Sequence, residues 1–223
     1  MNPASDAFVR LPTVRTEMER VAPPWVARAA KLPTATLHEA GGRIGVLPPQ
    51  IKPVGRSMRL SGPVVTVHSP GGDNLWLHRA LYVAQAGDVL LVHVSGAPAY
   101  GYWGEIMSTA ARHRGLGGLV IDGCVRDADL LEDIGFPVFA AGLCIRGTGK
   151  DHQARGWINF PLRLDELTVH AGDLIVGDRD GLVAVPRESA PAVVAAAEQR
   201  EATEAGVLQR IAAGERTLEV YHF

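Results

Sequence analysis

The sequence is poor in cysteine, with only Cys124 and Cys144 among 223 residues. Two cysteines are too few for a disulfide framework, and they lack the CxxC spacing of a zinc site. Free cysteine is most often a small core side chain, so we expect both to be buried. The sequence therefore gives no sign of cysteine chemistry.

Long hydrophobic runs are also missing. The sequence contains no stretch of about eighteen apolar residues that could span a bilayer. The N-terminal segment MNPASDAFVRLPTVRTEMERV lacks the basic-then-apolar order of a secretory signal. We therefore expect no membrane partner and a cytoplasmic location.

Neither sign of charge dominates the chain. The formal net charge is -2, and the Lys and Arg residues are scattered. Binding to nucleic acid needs a basic stripe, so no nucleic-acid partner is expected. Hydrophobic residues make up 47% and charged residues 21% of the chain, which is ordinary for a soluble globular protein. A single domain over residues 1–223 is the expectation.

An N-terminal helical arm is predicted over residues 18–45. Residues 24–31 begin with a proline, which suits the first turn of a helix, and residues 34–42 end in glycines. Thr34 is the candidate N-cap of the second helix.

The middle of the chain alternates between strand-like and helix-like segments. In chain order these are the strand SGPVVTVHS, the helix DNLWLHRALYVAQ, the strand DVLLVHVS, a helix over 104–114, the strand GGLVIDG, the helix DADLLEDIG and the strand PVFAAGLCI. Asn74 is a candidate cap of the first of these helices. Two later segments, LTVHAGDLIVGD and GLVAVPRE, resemble β-hairpin material. The order predicts an α/β fold whose sheet is covered by helices.

The longest helical signal covers residues 189–214 and begins at Ser189, a candidate N-cap. Glu198, Glu201 and Glu204 recur at three-residue steps, which places them along one side of this helix. Such a row is usually a solvated acidic face.

Glu105 and the Arg126-Asp127 pair are separated by twenty residues. A ten-residue helix that begins at Glu105 rises about 15 Å, and six extended residues from Gly118 return about 20 Å. The spacing therefore predicts that the two ends of this segment meet.

The same two ends are predicted helix starts, one at residues 104–107 and one at Asp127. Helix starts present unpaired N–H groups and partial positive charge, which favour an anion. Arg126 adds a planar fork that matches a carboxylate or a phosphate. The sequence predicts a small-anion site.

Asp127 admits two interpretations. An Asp in the first turn of a helix is commonly a cap. An acidic side chain beside an anion-binding arginine also fits a divalent cation held between the carboxylate and the ligand. One carboxylate completed by water and substrate oxygens is the pattern of a magnesium site, not of a zinc site.

Seven ordered segments resemble those of a known family: TATLHEAGGR, LSGPVVTV, GDNLWLHRAL, GEI, VIDGCVRD, GDRDGLVAVP and QREATEAGVLQRIAAGE. The chain resembles the class II pyruvate aldolases that cleave 4-hydroxy-4-methyl-2-oxoglutarate and 4-carboxy-4-hydroxy-2-oxoadipate. Their motif is an acidic residue, twenty residues and Arg-Asp, here Glu105 to Arg126-Asp127. The segment GTGKDHQARG departs from the plainer form of the family, so the resemblance does not predict the non-pyruvyl half of the substrate.

The resemblance implies a swivelling β/β/α sandwich that assembles as a homotrimer or a dimer of trimers, with active sites between subunits. It implies Mg²⁺ as the cofactor, with Mn²⁺ or Co²⁺ able to substitute, and Asp127 as the metal ligand. An acidic residue from the C-terminal helix of a neighbouring subunit would reach the outer shell of the metal, preferably Glu201 and otherwise Glu198 or Glu204.

The resemblance also assigns the substrate contacts for a small-molecule oxo acid. Arg126 would bind its pyruvyl part, and the backbone at the start of a helix would receive its carboxylate, at Gly104, Glu105, Ile106 and Met107. Glu105 would in addition hold the catalytic water.

The implied reaction is retro-aldol cleavage of a 4-hydroxy-2-oxo di- or tricarboxylic acid to give pyruvate. Negative charge left on the keto oxygen would be stabilised by the metal and Arg126, and water near Glu105 would take the proton of the C4 hydroxyl. Oxaloacetate decarboxylation is an expected side activity. No Schiff base is expected, because Lys31, Lys52 and Lys150 are interpreted as surface residues.

One alternative comes from a different functional class. The same fold includes a regulator of ribonuclease activity, a binding module without aldol chemistry. The intact Glu105, Arg126 and Asp127 set and the long C-terminal helix favour the enzyme.

Overall fold

A computed structural model describes residues 7–223 of the chain. Its strands, in chain order, are β1 (Lys52–Pro53), β2 (Leu60–Pro70), β3 (Val89–Ser95), β4 (Gly118–Val125), β5 (Val138–Leu143), β6 (Trp157–Ile158), β7 (Leu162–Leu164), β8 (Leu167–Val169), β9 (Leu174–Gly177) and β10 (Leu182–Val185). Its α-helices are α1 (Pro23–Ala29), α2 (Thr34–Ala40), α3 (Leu75–Val83), α4 (Glu105–His113), α5 (Ala128–Ile134), α6 (Ala190–Ala212) and α7 (Thr217–Val220), and a 3₁₀ helix covers Ala7–Arg10.

The main sheet has the strand order β1-β5-β4-β3-β2-β9-β10, and β6 pairs with β2 beside this path. Its centre is parallel, since β2, β3, β4 and β5 run in one direction. Parallel neighbours need crossover connections, and α3, α4 and α5 provide them. The flanks are antiparallel: β1 pairs with β5, β9 with β2 and β10 with β9. The α/β class predicted from the alternation of segments is confirmed.

Two buried clusters hold these elements together. The larger one surrounds the parallel centre of the sheet, where Leu90, Leu119 and Ile121 are fully buried. The smaller one lies between α1, α2, α6 and the β9–β10 hairpin, and it includes Leu37 and Val194. The near-continuous apolar sequences of β3 and β4 follow from their position, because strands of a parallel sheet are buried on both faces.

The predicted N-terminal arm forms as α1 and α2, but the cap of α2 differs from the prediction. Thr34 is the first helical residue rather than the N-cap. The carboxylate of Asp178, which follows β9, accepts hydrogen bonds from the Thr34 N–H at 2.9 Å and from its hydroxyl at 2.7 Å. The cap therefore comes from a distant part of the chain, which local sequence patterns do not reveal.

The long C-terminal helix is confirmed as α6, but its glutamates do not form a solvated face. Glu198 forms an ion pair with Arg28 of α1. Glu201 accepts a hydrogen bond of 2.6 Å from the hydroxyl of Thr36 in α2. The row faces the N-terminal arm because small residues of α6 let the two helices of the arm pack against it.

One smaller expectation is also corrected, since both cysteines are half-buried rather than buried in the core. The hairpin predicted from LTVHAGDLIVGD and GLVAVPRE is confirmed as β9 and β10, while β8, at the start of the first segment, pairs with β7. Within residues 7–223, no helix is both long and apolar enough to cross a membrane.

Candidate active site

The site lies where β4 ends and α4 begins. Arg126 and Asp127 follow β4 directly, at the carboxyl edge of the parallel sheet, where ligands of open α/β sheets commonly bind. The Arg126 N–H donates to the carbonyl of Trp103 at 2.9 Å, which fixes this turn to the segment before α4. The carboxylate of Asp127 accepts a hydrogen bond of 3.0 Å from the Glu105 N–H. The predicted meeting of Glu105 with the Arg126-Asp127 pair is confirmed.

Asp127 is a cap, but of a different helix from the one expected. It stands at the N-cap position of α5, and its side chain makes no capping hydrogen bond there. Its carboxylate instead caps α4 through Glu105. The backbone of Asp127 is left-handed, with φ of 63°. Such a conformation costs free energy for a residue other than glycine, and it turns the carboxylate towards α4.

Two glycines make room for the Arg126-Asp127 pair. A Cβ atom on Gly104 would lie 2.3 Å from the Asp127 Oδ2 atom. A Cβ atom on Gly101 would lie 2.6 Å from the carbonyl oxygen of Cys144 and 3.0 Å from Cδ of Arg126. A side chain at Gly101 or Gly104 would therefore clash, because the backbone at these positions lies close to the side chains of Arg126 and Asp127.

Arg126 and Asp127 line a cavity of about 310 Å³. Their side chains are 45% and 35% exposed, so both charged ends are accessible to a ligand. The Nε atom of Arg126 lies 3.8 Å from the Asp127 Oδ2 atom, beyond ordinary hydrogen-bond distance. The Arg126 fork is thus free to bind an external anion.

The start of α4 forms another wall of the cavity, which includes Gly104, Glu105, Ile106 and Met107. The first N–H groups of a helix have no acceptor within the helix. Ser108 N–H begins the intrahelical series by bonding to the Gly104 carbonyl at 3.0 Å. Among residues 7–223, no acceptor is found for the N–H groups of Ile106 and Met107. These two donors can receive a carboxylate of a ligand.

The oxygen donors in this wall suit a hard divalent cation. Asp127 and Glu105 provide carboxylates at the cavity, and the Asp127 Oδ2 atom is the one bonded to Glu105 N–H, which leaves Oδ1 available. No cluster of three or more His, Cys, Asp or Glu residues with metal-binding geometry occurs in the described part of the chain. One carboxylate with water and substrate oxygens fits magnesium better than zinc.

The three glutamates of α6 lie outside this cavity within one chain. Glu198 and Glu201 bind the N-terminal arm, and Glu204 forms an ion pair of 2.8 Å with Arg200. Their expected role concerns a neighbouring subunit, and it stays a prediction.

Among the cavity residues that were not assigned to the site from the sequence are Asn74, His78, Thr148 and Lys150. Asn74 stands at the N-cap position of α3, but its side chain makes no capping hydrogen bond, and its side-chain N–H donates to the Tyr102 carbonyl at 2.9 Å. Lys150, interpreted as an ordinary surface residue, lies at the cavity. The unusual GTGKDHQARG segment was the available signal, but its residues have no periodicity that would place them.

Comparisons with known proteins show the family to which the chain belongs. The chain matches the family described as RraA-like: Aldolase/RraA over residues 14–184. It is 30% identical to a protein of Halalkalibacterium halodurans named "Putative 4-hydroxy-4-methyl-2-oxoglutarate aldolase", over 80% of this chain and 84% of the relative.

Solved structures show the same fold. An uncharacterized protein from Pseudomonas syringae pv. tomato superposes with a TM-score of 0.80 at 28% identity, covering 92% of this chain and 96% of the other. The RNA-processing inhibitor RraA from Thermus thermophilis superposes with a TM-score of 0.63 at 26% identity, covering 70% and 93%. With the family match, these likenesses lead to one conclusion: the chain belongs to the Aldolase/RraA family.

Proposed function

We propose that the protein is a divalent-metal-dependent aldolase that cleaves a 4-hydroxy-2-oxo di- or tricarboxylic acid and releases pyruvate, with oxaloacetate decarboxylation as a side activity. One observation carries the proposal. Three groups meet at one cavity: the Glu105 N–H, the Asp127 carboxylate and the Arg126 guanidinium. In the sequence, 20 residues lie between Glu105 and the Arg126-Asp127 pair. The names of relatives at about this level of identity support aldolase chemistry.

In this proposal Arg126, Glu105 and the start of α4 each have a task. The N–H groups of Ile106 and Met107 bind the C1 carboxylate of the substrate. Arg126 donates to the keto oxygen, and its charge stabilises the enolate formed when the C3–C4 bond breaks. Glu105 holds the water that removes the proton of the C4 hydroxyl. Protonation of the enolate at C3 then gives pyruvate.

Asp127 is the proposed ligand of the divalent cation, with Mg²⁺ as the first choice and Mn²⁺ or Co²⁺ as substitutes. The cation would supply Lewis acidity and would orient the keto and carboxylate oxygens of the substrate. The hydrogen bond from Glu105 N–H fixes the rotamer of the Asp127 carboxylate before the cation binds. The chain therefore prepares the metal ligand by using it as a helix cap.

Assembly as a homotrimer or a dimer of trimers is part of the proposal. Apolar side chains are exposed beside the Arg126-Asp127 pair, with Leu143 at 61% and Ile145 at 93%. Burial of this rim against a second copy would stabilise the assembly and would shield the cavity from water. A glutamate of a neighbouring α6 would complete the site from outside.

The competing function is a non-catalytic binding module, as the name of the RNA-processing inhibitor RraA indicates for that relative. A binding module has no need of a preorganised carboxylate beside a free arginine fork. The charged cavity therefore favours the enzyme.

The test is release of pyruvate from 4-hydroxy-4-methyl-2-oxoglutarate, followed with a coupled lactate dehydrogenase assay. We expect turnover with added Mg²⁺, loss of turnover in excess chelator, and recovery when Mg²⁺ is restored. Full turnover in excess chelator would contradict the metal assignment. Absence of pyruvate under every condition would favour the binding module.

A further inference from the structure

Gly147, Thr148 and Lys150 of one loop, together with His78, form a second wall of the cavity. The proposed reaction gives tasks to Arg126, Asp127 and the start of α4, and it uses nothing on this second wall. The wall contains a cation, Lys150, whose ammonium takes part in none of the ion pairs formed between described residues. An unassigned cation in a substrate cavity is a candidate for recognising a second anionic group.

The loop is held firmly at both sides of Lys150. Gly149 N–H donates to the Gly72 carbonyl at 2.7 Å, and Asn74 N–H donates to the Gly149 carbonyl at 3.3 Å. On the other side, the Asp73 carboxylate accepts a hydrogen bond from the Asp151 N–H. The backbone of Lys150 is thus fixed to the start of α3.

Asp73 and Lys150 form no ion pair in the described part of the chain, and the Asp73 carboxylate accepts two backbone N–H groups. One oxygen accepts the Leu75 N–H at 2.8 Å, and the other accepts the Asp151 N–H. Burial lowers the pKa of His78, the nearby Lys150 charge lowers it further and the Asp73 carboxylate raises it, with a net lowering. His78 is therefore neutral at physiological pH, and Lys150 supplies the positive charge of this wall.

We propose that Lys150 is a specificity-determining residue that binds the substrate carboxylate that is not part of the pyruvyl group. This inference rests on the proposed function. It adds that the fixed 147–151 loop selects oxo acids with a second carboxylate. Substrates that end in an alkyl group would leave the Lys150 charge uncompensated.

The test uses two unreactive ligands of equal carbon number, 2-oxoglutarate and 2-oxopentanoate, which differ in the distal carboxylate and lack the C4 hydroxyl needed for cleavage. Dissociation constants are measured by calorimetry in the presence of Mg²⁺ for the wild type, Lys150→Met and Lys150→Arg. We expect Lys150→Met to raise the dissociation constant of 2-oxoglutarate roughly 10- to 100-fold, because a hydrogen bond between charged groups is lost. The dissociation constant of 2-oxopentanoate should stay within about twofold of the wild-type value, because this ligand has no distal carboxylate. Lys150→Arg should keep most of the wild-type preference for 2-oxoglutarate over 2-oxopentanoate.

Lys31→Met is the matched control, since this exposed lysine lies next to α1 and outside the cavity. It should change neither constant. Equal affinity of the wild type for the two ligands, or an equal loss for both in Lys150→Met, would overturn the inference. These constants do not depend on turnover, so they are separate from the pyruvate assay that tests the proposed function.

Discussion

Asp127 is the residue on which the account of the site depends most. Its left-handed backbone is unusual for a residue other than glycine, and its carboxylate serves a helix that begins 22 positions earlier. A cap of its own helix would need neither feature. The cost of this conformation is explained if the carboxylate must point into the cavity.

We predict that Asp127→Asn separates the two roles of this side chain. The asparagine oxygen can still accept the Glu105 N–H, so the free energy of unfolding should change by less than about 1 kcal/mol. The loss of charge should raise the Mg²⁺ concentration needed for half-maximal pyruvate release by roughly tenfold or more. Thermal unfolding and Mg²⁺ titration of activity measure the two effects.

Asp129→Asn is the control for this substitution, because Asp129 lies in the first turn of α5 but outside the cavity. It should leave the Mg²⁺ dependence unchanged. If the Asp127→Asn variant kept the Mg²⁺ dependence of the wild type, Asp127 would have only a structural role.

At the scale of elements, helix α2 shows how a remote side chain stabilises a short helix. Burial of the Asp178 carboxylate opposes its ionisation, but hydrogen bonds from Thr34, Asp180 and Gly181 outweigh burial and lower the pKa of Asp178. The charged form is therefore the one that the fold favours.

We predict that Asp178→Ala destabilises the protein by about 2 kcal/mol, since it leaves the buried Thr34 N–H and hydroxyl without an acceptor. The melting temperature should fall by roughly 4 to 8 °C. Because the folded pKa of Asp178 is lowered, its contribution is complete above the unfolded pKa of about 3.9 and is lost as the pH falls through the folded pKa. The difference in the free energy of unfolding between wild type and Asp178→Ala should therefore be constant near neutral pH and should decrease below about pH 4.

The neighbouring variant Asp180→Ala is the control, because the exposed Asp180 side chain lies outside this cap. It should unfold like the wild type. Both variants should release pyruvate at normal rates, since this region belongs to the smaller buried cluster and the cavity does not. A loss of turnover in the folded Asp178→Ala protein would show that the two regions are coupled.

The elements around the site could be predicted from the sequence, and the side chains that complete it could not. Strands β3 and β4 are continuous apolar runs, and helix α4 starts and stops at glycines, so their lengths alone placed Glu105 near Arg126. The place of Lys150 in the cavity could not be predicted, because the position of its loop depends on hydrogen bonds to Gly72 and Asn74, which are far away in sequence. The caps of α2 and α4 could not be predicted either, because each comes from a residue that is distant in sequence.

At the scale of the whole molecule, the cavity and the Asp178 cap lie in different regions. The cavity lies at the carboxyl edge of the parallel strands, above the larger buried cluster. The arm, α6 and the β9–β10 hairpin form the smaller cluster, whose polar contacts include the Asp178 cap. The cytoplasmic location, the absence of a membrane partner and the trimer stay predictions.

The most direct measurement of the central claim is the kcat for pyruvate release by Arg126→Lys with 4-hydroxy-4-methyl-2-oxoglutarate, compared with wild type and with Arg112→Lys, an exposed arginine of α4 outside the cavity. Lysine keeps the charge but loses the planar fork that binds the keto oxygen and stabilises the enolate. We predict that kcat falls by about 10² to 10³ in Arg126→Lys, with an unchanged melting temperature, and that Arg112→Lys behaves as wild type. A near-normal kcat in Arg126→Lys would contradict the assignment of this cavity as an aldolase active site.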